Sequence, residues 1–226
     1  MVGALYQFGK GVKRDYQMAS EYYKKGCDYL GDGVSCAAVG DLYKFGTGVK
    51  RDHQKAYEYY KKGCDLDDVV SCSMVGYLYQ EGEGVKQDYQ KAYEYYKKAC
   101  DLGDGLSCSM VGGLYKEGKG VKQDYQKASE YYKKACDLDD GFSCGMVGYL
   151  YKEGKGVKQD YQMAIEYYKK GCDLDDSTAC IALGILYKFG TSVKQDYQKA
   201  SEYFKKGCDL GDEVSCSLFD LLKFKN

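Results

Sequence analysis

The chain repeats itself, and that fact limits its fold more than any other. Cys64, Cys100, Cys136, Cys172 and Cys208 follow one another at steps of 36 residues, and each has a second cysteine eight residues later, at Cys72, Cys108, Cys144, Cys180 and Cys216. The first pair, Cys27 and Cys36, is one residue wider because "CDYLGDGVSC" carries one residue more than "CDLDDVVSC". A "GxGVK" loop recurs at Gly9, Gly46, Gly82, Gly118 and Gly154 and survives as "GTSVK" at Gly190. An alanine follows each loop, at Ala19, Ala56, Ala92, Ala128, Ala164 and Ala200. A period in the thirties, built from helix-forming residues, predicts a solenoid of paired helices in which each pair buries its apolar face against its neighbours.

One copy shows how a pair forms. In "VVSCSMVGYLYQE", Cys72, Val75, Gly76 and Tyr79 fall at i, i+3, i+4 and i+7, which is one face of a helix. Asp68 is placed to cap the start of this helix A, and Gly82 and Gly84 end it. Asp88 is placed to cap helix B, "YQKAYEYYKKACDL", whose inward face is Ala92, Tyr95, Tyr96 and Ala99. Glu94 and Lys98 stand outside at i, i+4, a pairing that adds a few tenths of a kcal/mol. Ala92 and Gly76 are small where two helices cross closely. The chain has no proline to interrupt helix and no tryptophan, so its 27 tyrosines supply most of the large aromatic surface.

These residues resemble a known family. "LYxxGxGVxxDxxKAxEYYKKA" is similar to the Sel1-like repeat, a relative of the tetratricopeptide repeat, and the paired cysteines resemble those of the Helicobacter cysteine-rich (Hcp) branch. The resemblance covers the whole chain, with tyrosine where the family's helix B usually has tryptophan, as at Tyr59 and Tyr131. It implies an all-α, right-handed α/α solenoid of disulfide-stapled helical hairpins. As a single repeat domain over 1–226, the units would run 1–36, 37–72, 73–108, 109–144, 145–180 and 181–216, and 217–226 would form a closing helix with Phe219, Leu222 and Phe224 as its apolar residues. "MVGALY" aligns with the interior of helix A at "MVGYLY", so Met1 stands where Met74, Met110 and Met146 are interior residues. The expectation is a piece of a longer secreted precursor.

Twelve cysteines against one histidine argue against zinc, whose paired ligands usually lie about two to four residues apart. Disulfides are the reading that fits, and they imply an oxidising compartment, secreted or periplasmic. From the residues alone two pairings stay open. The end of helix B can bridge back within its own hairpin, as Cys36 to Cys64, which strands Cys27 and Cys216. It can also bridge to the next helix A, as Cys64 to Cys72, which pairs all twelve. The family resemblance implies the second: Cys27–Cys36, Cys64–Cys72, Cys100–Cys108, Cys136–Cys144, Cys172–Cys180 and Cys208–Cys216.

The charge is nearly balanced, 33 Lys and Arg against 34 Asp and Glu, which excludes a binder driven by phosphate charge. No apolar run approaches the roughly 18 residues of a spanning helix. Helix A is expected to line the concave face, with Ser73, Tyr77 and Gln80 opposite its core stripe. The middle position varies along the chain as Asp41, Tyr77, Gly113, Tyr149 and Ile185, while its neighbours repeat. Beside it stand Lys44, Gln80, Lys116, Lys152 and Lys188. These are the candidate contacts for a peptide, a cell-wall fragment or a host protein, bound by a monomer without cofactor or metal.

Apparent catalytic motifs fail on inspection. "GFSCG" (Gly141 to Gly145) fits G-x-S-x-G, but that motif needs a strand-to-helix turn and this one opens a helix. Ser143 also lacks a histidine, because His53 is the sole one and replaces the tyrosine that opens helix B elsewhere. "GGLYKEGKG" has Gly120 where a phosphate loop needs Ser or Thr. The Hcp resemblance implies penicillin binding and a β-lactamase label for penam and cephem rings. Yet no Ser is followed three residues later by Lys, S-D-N and K-T-G are absent, and no catalytic residue can be named.

Overall fold

In the computed structural model the described residues are 2–223, so Met1 and Phe224, singled out above, lie outside them. Thirteen helices and no strand make up the described residues. The A helices are α1 (Val2–Phe8), α3 (Gly33–Phe45), α5 (Val69–Glu81), α7 (Gly105–Glu117), α9 (Gly141–Glu153), α11 (Ser177–Phe189) and α13 (Glu213–Lys223). The B helices alternate with them: α2 (Tyr16–Tyr29), α4 (His53–Asp65), α6 (Tyr89–Asp101), α8 (Tyr125–Asp137), α10 (Tyr161–Asp173) and α12 (Tyr197–Asp209). Two compact units result. The first holds α1 to α6 with residues 105–107 and 119–121; the second holds the rest of α7 and α8 to α13.

The helix ends follow local chemistry. Asp88 turns its carboxylate onto the Gln90 and Lys91 amides at 3.0 Å, and Asp68 caps α5 by accepting from the Ser71 amide at 2.7 Å. Gly82 closes α5 in the left-handed conformation, φ 73°, with its amide bonded to the Leu78 carbonyl. The turn from B to A also needs a left-handed residue, supplied by glycine at Gly103 and Gly211 and by aspartate at Asp67, Asp139 and Asp175.

Within each hairpin the glycine of helix A faces the ring of helix B. A Cβ on Gly76 would lie 2.7 Å from the Tyr96 ring, and one on Gly40 would lie 2.6 Å from that of Tyr60. Absence of a side chain therefore lets the two axes approach, and burying each such ring contributes about 1.5–3 kcal/mol. A second tyrosine pair stacks beside this contact in every hairpin: Tyr6 on Tyr22, Tyr43 on Tyr59, Tyr79 on Tyr95, Tyr115 on Tyr131, Tyr151 on Tyr167 and Tyr187 on Tyr203, with centroids 5.5–5.8 Å apart. Tyr59 and Tyr131 thus do as stacking partners what tryptophan would do by bulk.

Neighbouring hairpins are joined covalently. Cys27–Cys36, Cys64–Cys72, Cys136–Cys144, Cys172–Cys180 and Cys208–Cys216 are bonded, with Cα atoms 4.5–4.7 Å apart. Cys100 and Cys108 are disulfide-bonded too, and no described cysteine is free. Polar links run alongside. Lys98 does not pair with Glu94 as its spacing suggests; it reaches back to the Cys64 carbonyl at 2.6 Å and the Asp67 carboxylate at 2.8 Å. A link between hairpins takes precedence there over a link within one helix. Lys62 to Asp28 and Lys170 to Asp137 repeat the device. At the far end α13 begins at Glu213, four residues before the predicted start, and seats Leu222 against Ala200 and Phe204, with Phe219 half-buried beside them.

Candidate functional site

Every fourth or third residue of helix A points away from the B helix behind it. In α5 this outer face is Val70, Met74 and Tyr77; in α9 it is Phe142, Met146 and Tyr149; in α11 it is Thr178, Ala182 and Ile185. Val70 and Phe142 are more than half exposed, whereas the tyrosines that face helix A from helix B are buried. Each unit therefore carries apolar side chains on its A-helix surface.

The predicted middle positions divide. Tyr77 and Tyr149 are half-buried and Ile185 is exposed, so all three can meet a partner. Asp41 is engaged, because the buried Tyr60 hydroxyl donates to its carboxylate at 2.5 Å. Tyr149 accepts a hydrogen bond from Lys155 at 2.8 Å, and this bond pulls the Lys155 amine above its ordinary pKa. Burial, with Glu83 and Glu81 nearby, pushes the Tyr77 phenol up.

The adjacent row is half-buried throughout. Lys44 sits 4.2 Å over the Tyr77 ring of the next A helix, a cation–π contact between repeats. Lys152 pairs with Glu153 at 3.1 Å, Gln80 donates to Glu81 at 2.9 Å, and Lys188 lies 5.3 Å from the Phe189 ring. The backbone here has its own task. The carbonyls of Gln80, Lys116, Lys152 and Lys188 each accept from a loop glutamine: Gln87, Gln123, Gln159 and Gln195. Ser73 is occupied by the Ser107 hydroxyl at 3.1 Å.

Sequence reasoning named the middle row and missed the first two outer positions, Val70 with Met74 and Phe142 with Met146. The signal was present, since both stand at i−7 and i−3 from a named residue. It also missed an open, largely apolar pocket of about 160 Å³ on the second unit, lined by Phe142, Gly145, Met146 and Tyr149 of α9, Tyr168 of α10, Thr178, Ala179 and Ala182 of α11, and Asp176.

Ser143 does not form a nucleophile elbow. It is fully buried in the first turn of α9, its amide bonded to Asp140 and its hydroxyl to that of Ser109 at 2.9 Å. His53 places Nδ1 3.3 Å from the Glu83 carboxylate at a half-exposed loop contact. Among the described residues no cluster of three or more His, Cys, Asp or Glu is placed to hold a metal.

Helical hairpins at a fixed period, clamped at their joints and presenting side chains from one helix of each pair, define a helical-repeat scaffold. The Sel1 repeat model matches six times, over residues 1–28, 33–68, 69–104, 105–140, 142–176 and 177–212. The chain belongs to the Sel1 repeat family. Among solved structures, a protective antigen of uropathogenic Escherichia coli with an SLR fold is 28% identical, with a TM-score of 0.91 over 98% of this chain and 47% of its own. A Sel1 repeat protein of Oxalobacter formigenes is 32% identical, with a TM-score of 0.80 over 92% of this chain and 85% of its own. Helicobacter pylori cysteine-rich protein B is 38% identical over 60% of this chain and 97% of its own, with a TM-score of 0.47. The chain thus spans about half the length of the E. coli antigen. The comparison with curated proteins finds no match.

Proposed function

We propose that the chain is an extracytoplasmic scaffold that binds a segment of a protein partner along its A-helix face. The observation that carries this reading is the contrast between the two helices of each hairpin. Helix B buries the tyrosines that face helix A, whereas helix A leaves Val70 and Phe142 more than half exposed and Met74, Tyr77, Met146 and Tyr149 half-exposed, with the lysines Lys44 and Lys155 over the two tyrosine rings. Apolar residues kept on a surface at regular intervals fit side-chain anchors of a bound chain, with Lys44, Gln80, Lys116, Lys152 and Lys188 supplying donors at the border. Disulfides at the joints fit a secreted or periplasmic setting. A peptide or protein is favoured over a cell-wall glycan because the surface offers methionine and aliphatic side chains beside its aromatics. Hydrolysis of a β-lactam has no support in the geometry, since Ser143 is sealed in the core.

The test is selection of binding peptides from a random display library on the oxidised chain, followed by calorimetry. Tyr77→Ala or Tyr149→Ala is expected to weaken selected peptides by about tenfold, the worth of one desolvated aromatic contact. Peptides that bind equally well to both variants, and lose affinity on substitution of Glu94 or Glu166 on the B helices, would overturn the assignment.

A further inference from the structure

The junction between α9 and α11 differs from the junctions before it. In two earlier junctions a pair of serines links successive A helices: Ser107 to Ser73 at 3.1 Å, and Ser143 to Ser109 at 2.9 Å. The next pair in the series is Gly145 and Ala179, so both hydroxyls are gone at once. The open pocket of about 160 Å³ lies at this spot, with Gly145 and Ala179 in its wall. Apolar cavities of about 150 Å³ admit a guest the size of benzene, so one side chain fits.

Asp176 changes with them. Ser35 and Ser107 donate to the capping carboxylates of their own helices, Asp32 and Asp104, at 2.5 Å. Asp176 has an alanine at the matching position, and its capping bonds come from the Thr178 and Ala179 amides at 3.3 and 3.1 Å. One wall of the pocket thus holds a carboxylate that takes its hydroxyl bond from Thr178 in place of a serine, and the other walls are the rings of Phe142, Tyr149 and Tyr168 with Met146. Aromatic faces beside a carboxylate attract an organic cation, which needs apolar contact for its stem and negative potential for its head.

We propose that the pocket between α9 and α11 is a subsite for an alkylammonium group, the side chain of a lysine in the bound partner, with Asp176 as counter-ion and Phe142, Tyr149 and Tyr168 as the cage. Burial, with Asp140 nearby, holds the Asp176 carboxyl above the usual carboxylate range, so a cation beside it would relieve an existing penalty. Lys155 is the charged neighbour of opposite sign, and its amine is bonded to the Tyr149 hydroxyl. The subsite rests on the A-helix face being the binding surface for a protein; the pocket's preference for a cation can be tested apart from that.

The test titrates n-butylammonium and Nα-acetyl-lysine methylamide into the oxidised chain, with Nα-acetyl-norleucine methylamide as the neutral match, and follows the labelled Met146 methyl by NMR. Saturable shifts are expected from the two amines, at least about tenfold tighter than from norleucine. Asp176→Asn keeps a competent cap, and is expected to bring the amines down to the neutral level. Gly145→Ser with Ala179→Ser restores the two serines of the earlier junctions and is expected to close the pocket and abolish amine binding, with some loss of thermal stability because a Cβ on Gly145 would collide with the Asp176 carboxylate and push it aside. Equal response to amine and norleucine, or amine binding indifferent to both variants, overturns the subsite. Peptides selected on the A-helix face that ignore Asp176→Asn overturn the subsite and leave the face standing. Amine binding with no peptide selected upholds the cation pocket and overturns the face.

Discussion

The Tyr60 hydroxyl donates to the Asp41 carboxylate across 2.5 Å, so a buried ring of α4 is tied to the outer face of α3. The bond makes Asp41 a fixture of the fold. Tyr60→Phe removes a charge-assisted bond but leaves Asp41 in reach of water, and is expected to cost about 1 kcal/mol. Asp41→Ala strands a buried hydroxyl and is expected to cost more, about 1–3 kcal/mol. Urea denaturation of the two variants measures the difference, and an Asp41→Ala that matches the parent would show the bond to be idle.

Alkali should unfold the chain through its buried tyrosines. Burial pushes the phenols of Tyr60, Tyr96, Tyr132 and Tyr168 well above their ordinary value. The folded state then keeps protons that the unfolded chain releases near pH 10, so stability is full below about pH 10 and falls above it, by up to about 1.4 kcal/mol per pH unit for each tyrosine. Phe204 fills the same place in the last hairpin. Tyr96→Phe with Tyr132→Phe is therefore expected to be tolerated at neutral pH and to flatten the alkaline loss, as read from thermal melts across that range.

One loop departs from its siblings. Gly84, Gly120 and Gly156 hold positive φ and sit so close to the backbone at the start of the preceding helix B that a Cβ would collide with it. Ser192 occupies the same place in the last loop, at φ 59°. Ser192→Gly is expected to stabilise by about 1 kcal/mol, the penalty of a left-handed non-glycine residue. Gly156→Ser is expected to destabilise by more than that, because strain and collision add. Differential scanning calorimetry on the pair reads both signs.

Much of this was written in the period. Asp68, Asp88 and Gly82 cap helices where spacing put them, and Cys72, Val75, Gly76 and Tyr79 are all buried on one face. The outer positions of helix A were only half legible. Variation at Asp41, Tyr77, Tyr149 and Ile185 marked a surface, but a residue can vary and still be taken, as Asp41 is by Tyr60. Lys98 shows the same limit, since i, i+4 geometry says nothing of Asp67 one repeat away. The pocket at Asp176 lies where Gly145 and Ala179 replace two serines of the repeat; the replacements can be read in the period, but that these two positions meet across one junction shows only in three dimensions.

The joints offer the last test. Cys64 and Cys72 are fully buried, and their bond closes a loop of eight residues, which restrains the unfolded chain by about 2–3 kcal/mol. A reductant cannot reach sulfur that no solvent touches unless the joint opens. Reduction of the native chain is therefore expected to wait on local unfolding: slow in buffer, faster with mild urea, and saturating as thiol is raised. Cys64→Ala with Cys72→Ala should open its own joint first, so that amide exchange rises across α4 and α5 before it rises in α9 and α10. Uniform acceleration over the whole chain would instead mean that stability is shared globally, against the nearest-neighbour behaviour that a stack of hairpins predicts.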